Sequence, residues 1–176
     1  MPFVLSQRSN NRGNSSQQQQ PQHNNNDKLA FKGSTKGLHG HVFSVYHESP
    51  DKRQFSKTIK AIQLYVGAGS IKHADDLEPL FRFQKAPRVD KPTKPSGYDE
   101  NNEVDVQILK QEVAEYMERR KALRSNMRYL WNLIWGQCTE ALQAELQALP
   151  DFVNNEYPAA DTPANCAWLL TQIKSI

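Results

Sequence analysis

The stretch from Val104 to Ile176 constrains this chain most, because it reads as three amphipathic helices in succession. Val106, Leu109, Val113, Tyr116, Met117, Leu123, Met127, Leu130, Trp131 and Ile134 recur at intervals of three and four. That spacing lines up side chains along one face of an α-helix. Acidic residues gather early in this helix and basic ones late, which complements its macrodipole. Gly136 interrupts the pattern. Thr139 then predicts an N-cap for a second helix reaching Leu149, with Cys138, Leu142, Leu146 and Leu149 on one side and Pro150 as its stop. After a polar loop, Thr162 and Pro163 predict the cap and first turn of a last helix that aligns Cys166, Leu169, Leu170 and Ile173. Its stripe stops in mid-pattern at Ile176, so we expect a segment of a helical assembly protein and not a self-contained enzyme. Trp131, Trp168, Leu142 and Leu170 are expected core residues, since tryptophans on apolar stripes pack by default.

The front of the chain is different. Residues 1–27 hold six Gln, six Asn and four Ser. Ordering them costs ~1 kcal/mol or more per residue, and burying Phe3, Val4 and Leu5 returns at most ~1.5–3 kcal/mol each. We therefore expect a disordered arm, whose Gln/Asn tracts favour self-association. Residues 28–83 follow as a glycine-rich arm with short helices. Gly33, Gly37 and Gly40 argue against a helix there. Val42 to Tyr46 suits a short strand or an extended packing arm, and Ser49-Pro50-Asp51 a turn. Phe55, Ile59, Ile62, Tyr65 and Val66 predict a helix over 52–67, ended by Gly67. A second helical piece is expected from Ile71 to about Phe83 despite Pro79. Residues 84–98 are a linker broken by Pro87, Pro92 and Pro95. Arg82, Lys85, Arg88, Lys91 and Lys94 make it basic, with only Asp90 opposing. Residues 99–176 form the helical region. The fold class expected is mainly α, a small bundle of capsid type with an extended arm.

Charge and composition exclude several classes. The apolar fraction is 38%, and the polar tracts account for that low value. Residues 1–60 carry nine Lys/Arg against three Asp/Glu, a net +6, and residues 61–176 thirteen against sixteen, a net −3. A basic front on a near-neutral body suits loose contact with nucleic acid or an anionic surface. Cys138 and Cys166 belong to no metal or redox spacing and read as small buried residues of a reducing compartment. The chain shows no signal-peptide core and no apolar run of membrane-spanning length, so we expect a soluble, cytoplasmic protein, with a nuclear location the alternative.

Candidate sites are few. His39, His41 and His47 cluster, but zinc needs a fourth ligand and neither cysteine is near in sequence, so no metal or other cofactor is expected. Nor is there a protease triplet, a phosphate-binding glycine loop or a zinc knuckle, and no paired carboxylates suggest acid–base work. No small-molecule substrate and no membrane partner are expected. The best functional surface is the cationic run on the long helix. Lys121, Arg124 and Arg128 share a side, with Arg119 adjacent, as expected nucleic-acid contacts. Arg120 falls inside the apolar stripe, where it must snorkel, find a carboxylate or face another subunit. Glu145 is the matching oddity among Cys138, Leu142 and Leu149. The two lie sixteen and nine residues from Gly136, about 10 Å out of step in a simple hairpin, so a contact in assembly, between subunits or with another helix, is the favoured pairing.

A family resemblance joins these segments. Phe31 to Phe43 (Phe-Lys-Gly-Ser-Thr-Lys-Gly-Leu-His-Gly-His-Val-Phe) resembles the opening of Gag-like proteins of copia-type LTR retrotransposons. Ile134 to Leu146 (Ile-Trp-Gly-Gln-Cys-Thr-Glu-Ala-Leu-Gln-Ala-Glu-Leu) is similar to their helical middle, and Ala164 to Lys174 to the helix that follows. The resemblance implies a non-enzymatic structural protein whose capsid-like domain self-associates into particles and holds the element's RNA without sequence specificity. Measured against that pattern, the chain stops before further capsid helices and before any zinc knuckle. The alternative is a helical adaptor module of host origin with a polar arm. Its discriminating feature is the downstream genomic sequence, where a knuckle and protease in frame support Gag.

Overall fold

Three- and four-residue spacing produces the elements that dominate the fold. The computed structural model describes residues 30–45, 53–69, 71–159 and 162–176. Six α-helices are present among them: α1 (Gln54–Ala68), α2 (Glu78–Phe83), α3 (Glu103–Trp135), α4 (Glu140–Gln147), α5 (Phe152–Glu156) and α6 (Cys166–Ser175). The fold is mainly helical, and the described residues contain no strand, only an isolated parallel bridge between Phe43 and Cys138. Phe31–Ile176 form one compact unit. The expected disorder of 1–27, His47, and the Ser49-Pro50-Asp51 turn lie outside the described residues.

Local chemistry explains most boundaries. α3 starts where the Asn102 side chain accepts from the Val104 amide at 3.0 Å, and Glu103 and Asp105 follow in its first turn, where negative charge is favourable. Pro79 is tolerated in α2 because it lies in the first turn, where its missing N–H would have no partner. Gly136 ends α3, and the Thr139 hydroxyl caps α4 by accepting from Leu142 N at 3.4 Å. Several boundaries differ from expectation. The piece expected from Ile71 to Phe83 is a 3-10 turn, Ala74–Leu77, followed by α2, and α4 stops at Gln147, short of Leu149. α1 runs through Gly67 to Ala68 and is capped by Gly69. Lys36–Leu38 form one 3-10 turn despite the glycines. The last helix starts at Cys166, not at Thr162 and Pro163. Its cap is Asn165, whose side chain accepts from Trp168 N at 3.1 Å and donates to Asn155 Oδ1 at 2.9 Å. That second, tertiary bond favours the later start. α5 fills part of the expected polar loop and buries Phe152.

The core gathers the C-terminal half of α3 with α1, α2, α4, α5 and α6. Trp131, Leu142 and Leu170 are fully buried, as expected, and Trp168 is half-buried. Phe152 ties the tryptophans together, with ring centroids 5.9 Å from Trp131, 5.2 Å from Trp135 and 6.4 Å from Trp168. The Trp131 indole N–H is buried without a partner, so this cluster is held by area and packing, not by polar contact. Both cysteines are buried and free. Burial raises both thiols, that of Cys166 to about 12.

The glycine-rich arm clasps the turn between α3 and α4. Ser34 N donates to Gly136 O at 2.8 Å, Phe43 N to Gln137 O at 2.8 Å, and Thr139 N to Phe43 O at 2.9 Å. Gln137 is fully buried; its amide nitrogen donates to His41 O (3.0 Å) and its oxygen accepts from Thr35 N (3.2 Å). The approach is so close that a Cβ at Gly136 would stand 2.1 Å from Ser34 Oγ, and one at Gly33 would meet the Gln137 amide at 1.9 Å. Gly33 also has φ +90°, which L side chains avoid.

Candidate functional site

α3 carries one apolar seam. Val106, Leu109, Val113, Tyr116, Arg120, Leu123, Met127, Leu130 and Ile134 alternate strictly by three and four, the a and d positions of a heptad. Leu123, Met127, Leu130 and Ile134 are buried in the core. Before Leu123, no residue of α3 is buried. Val104 is 64% exposed, Met117 54%, Ile108 49% and Val113 42%, while Val106, Leu109 and Tyr116 are half-buried. The first turns border an open depression lined by Glu100, Val104, Ile108 and Gln111. Before Leu123 the seam is therefore only partly covered, with Val113 and Arg120 exposed and Val106, Leu109 and Tyr116 half-buried.

The middle of α3 is anchored to the segment before α2. Arg119 Nε donates to Asp76 Oδ2 at 3.2 Å, and its Nη2 pairs with Asp76 Oδ1. The hydrogen bonds and charge of Asp76 raise the Arg119 pKa, with smaller contributions from Glu115 and Asp90. Lys72 pairs with Glu118 at 3.1 Å, and Asn126 Nδ2 donates to Lys72 O at 2.9 Å. Arg128 donates to Glu156 O at 2.7 Å and stacks 4.3 Å over the Tyr157 ring. The four cations expected to touch nucleic acid thus differ in setting. Arg119 and Arg128 are partly buried, whereas the side chains of Lys121 and Arg124 are exposed.

Arg120 and Glu145 are both exposed. The expectation that Arg120 is costly rested on a buried stripe, and the stripe is open to solvent at that level. Glu145 sits beside the buried Leu142 and Leu146 without sharing their burial. Both remain accessible to another chain. No group of three or more His, Cys, Asp or Glu able to hold a metal occurs among the described residues. No described helix is long and apolar enough to cross a membrane. The chain matches no family model, no curated protein and no solved structure.

Sequence reading treated the stripe as a single core face and so missed its exposed half as a site. The signal available was the change of charge along the stripe, acidic over residues 103–118 and basic over residues 119–128.

Proposed function

We propose that this is a non-enzymatic structural protein of the Gag-like kind, which self-associates through the exposed half of α3 and holds RNA without sequence specificity. The observation that supports the reading is the partly exposed a/d seam from Val106 to Arg120, none of whose side chains is buried. Apolar surface arranged as a coiled-coil seam is stabilised by a second helix.

Charge selects a second copy in antiparallel orientation. Residues 103–118 carry Glu103, Asp105, Glu112, Glu115 and Glu118 against Lys110 alone. Residues 119–128 carry Arg119, Arg120, Lys121, Arg124 and Arg128 and no acid. Parallel pairing sets like charge on like, and antiparallel pairing sets acid on base. With Val113 opposite Tyr116 of the second copy, Glu112 flanks its Arg119 and Glu103 flanks its Arg124. Leu109 then meets Arg120, whose aliphatic stem covers it while the guanidinium reaches water. A polar residue at one a position also fixes register.

Sedimentation velocity on the full chain tests the reading. We expect a concentration-dependent dimer, abolished by Val113→Asp with the helical signal and melting temperature of the monomer unchanged. A chain that stays monomeric at every concentration, or a Val113→Asp protein that still associates, refutes it.

A further inference from the structure

The last turn of α2 and the segment joining it to α3 carry a regular cationic repeat. Arg82, Lys85, Arg88, Lys91 and Lys94 recur every third residue, and all five are exposed. Residues 84–95 form no helix or strand. Pro87, Pro92 and Pro95 fix φ near −65° and push the residue before each toward extended backbone. In the polyproline II geometry they favour, three residues make one turn, so this spacing suits an arrangement of Lys85, Arg88, Lys91 and Lys94 on one edge, roughly 9 Å apart, with Arg82 in the last turn of α2 before it. The opposite edge faces the protein. Pro87 is buried, and Val89 packs against the core. Asp90, the one acid among residues 82–94, acts electrostatically on Arg119 of α3.

Aromatic rings flank both ends of this edge. Phe83 is 57% exposed, with the Arg82 guanidinium 5.3 Å and the Lys85 ammonium 6.0 Å from its ring centroid. Gln84 ends α2 in the left-handed region, at φ 50°. At the far end Lys94 lies 4.8 Å over Tyr98. Arg82 and Lys94 also pair with Glu78 and Glu100. Those pairs are exposed, so a phosphate can replace the carboxylate at little loss.

We propose that residues 82–98 are the binding strip for single-stranded RNA, with the cations tracking phosphates and Phe83 stacking a base. A cationic track with an exposed ring at its edge, here Phe83, is the physical basis of sequence-tolerant single-strand binding. Duplex bases have no free face for Phe83, and an anionic membrane would use the charges without needing a stacking partner. The inference rests on the RNA-holding part of the function proposed above, and moves that contact from the α3 arginines to the connecting segment.

The test is fluorescence anisotropy of the full chain with a 12-nucleotide single-stranded RNA, in oligo-U and mixed sequence. A duplex of the same length and phosphatidylserine vesicles serve as competitors. Binding should favour the single strand, and log affinity should fall with log salt at a slope of about −3.5 for five phosphate contacts. The triple variant Lys85→Gln, Arg88→Gln, Lys91→Gln should flatten the slope by about 2. Phe83→Leu should weaken binding about tenfold while leaving the slope unchanged. Circular dichroism should not change for either variant, because all four side chains are exposed. Three results overturn the proposal. Undiminished binding in the triple variant, with loss on replacing Lys121 and Arg124, returns the contact to α3 and leaves RNA holding intact. Absence of RNA binding at low salt removes both readings. Binding displaced by vesicles and indifferent to Phe83→Leu identifies a membrane-directed strip.

Discussion

The two halves of α3 share one heptad and one continuous backbone, yet they have opposite surroundings. From Leu123 onward every seam position is buried in the core, where α3 packs on α6. Before Leu123 none is. Periodicity reports which side of a helix is apolar and carries no information on what covers it. Cover comes from the rest of the chain. The elements after Gly136 fold back on the second half of α3. Residues 71–76 reach only its middle, through Lys72 and Asp76. The comparison separates the half that the fold covers from the half we propose for association.

Substitutions in each half sharpen that separation. Trp131→Ala removes a fully buried ring and should cost ~3–5 kcal/mol of stability. Val113→Ala, measured on monomer at low concentration, should stay within about 0.5 kcal/mol. Comparable losses in urea denaturation would mean that both halves are core. Trp131→Phe keeps most of the packing and deletes the unpartnered N–H, so it should cost clearly less than the alanine change.

Alkaline titration probes the core packed around the second half by another route. Burial raises the thiols of Cys138 and Cys166 in the folded state. Folded pKa values above the unfolded ones mean that this contribution is complete below about pH 9 and lost as pH climbs toward 12. Unfolding midpoints should therefore fall across that window, and less steeply in a Cys166→Ala protein. Rapid labelling of either cysteine by a thiol reagent at pH 8 in the native protein would contradict the burial.

Smaller effects are expected at the ends of the seam. Gly136→Ala forces a Cβ onto Ser34 and should cost ~1–3 kcal/mol, read as a lower melting temperature. Thr139→Ala should cost ~1 kcal/mol. Asn102→Ala should cost less globally, because α3 frays there without unfolding the core. Its signature should be faster amide exchange confined to the first turns of α3, and exchange spreading past Leu123 would show the halves to be coupled.

Much of the fold was legible because several local signals agreed. The long helix, the Thr139 cap and the stop near Pro150 each follow from side chains close in sequence. The misread start of α6 shows the limit. Thr162-Pro163 and Asn165 are both acceptable caps, and a tertiary bond to Asn155 favours the second. α5 is too short to display a period. The clasp joins residues roughly a hundred positions apart through main-chain bonds that leave no side-chain pattern. The site was half legible. The basic linker and the stripe are plain in the sequence, but exposure of the stripe depends on what fails to pack on it.

Orientation of the paired helices tests the account most directly. Leu109 and Arg120 lie eleven residues apart, about 16 Å along the axis, far beyond the ~7 Å limit for Cα atoms bridged by a disulfide. Leu109→Cys and Arg120→Cys proteins should be mixed and oxidised, with the native cysteines protected by burial. Antiparallel pairing predicts cross-links almost wholly between the two different variants. Cross-links within each variant alone would show a parallel pair, and no cross-link at concentrations where the chain sediments as a dimer would place the interface elsewhere and contradict the account.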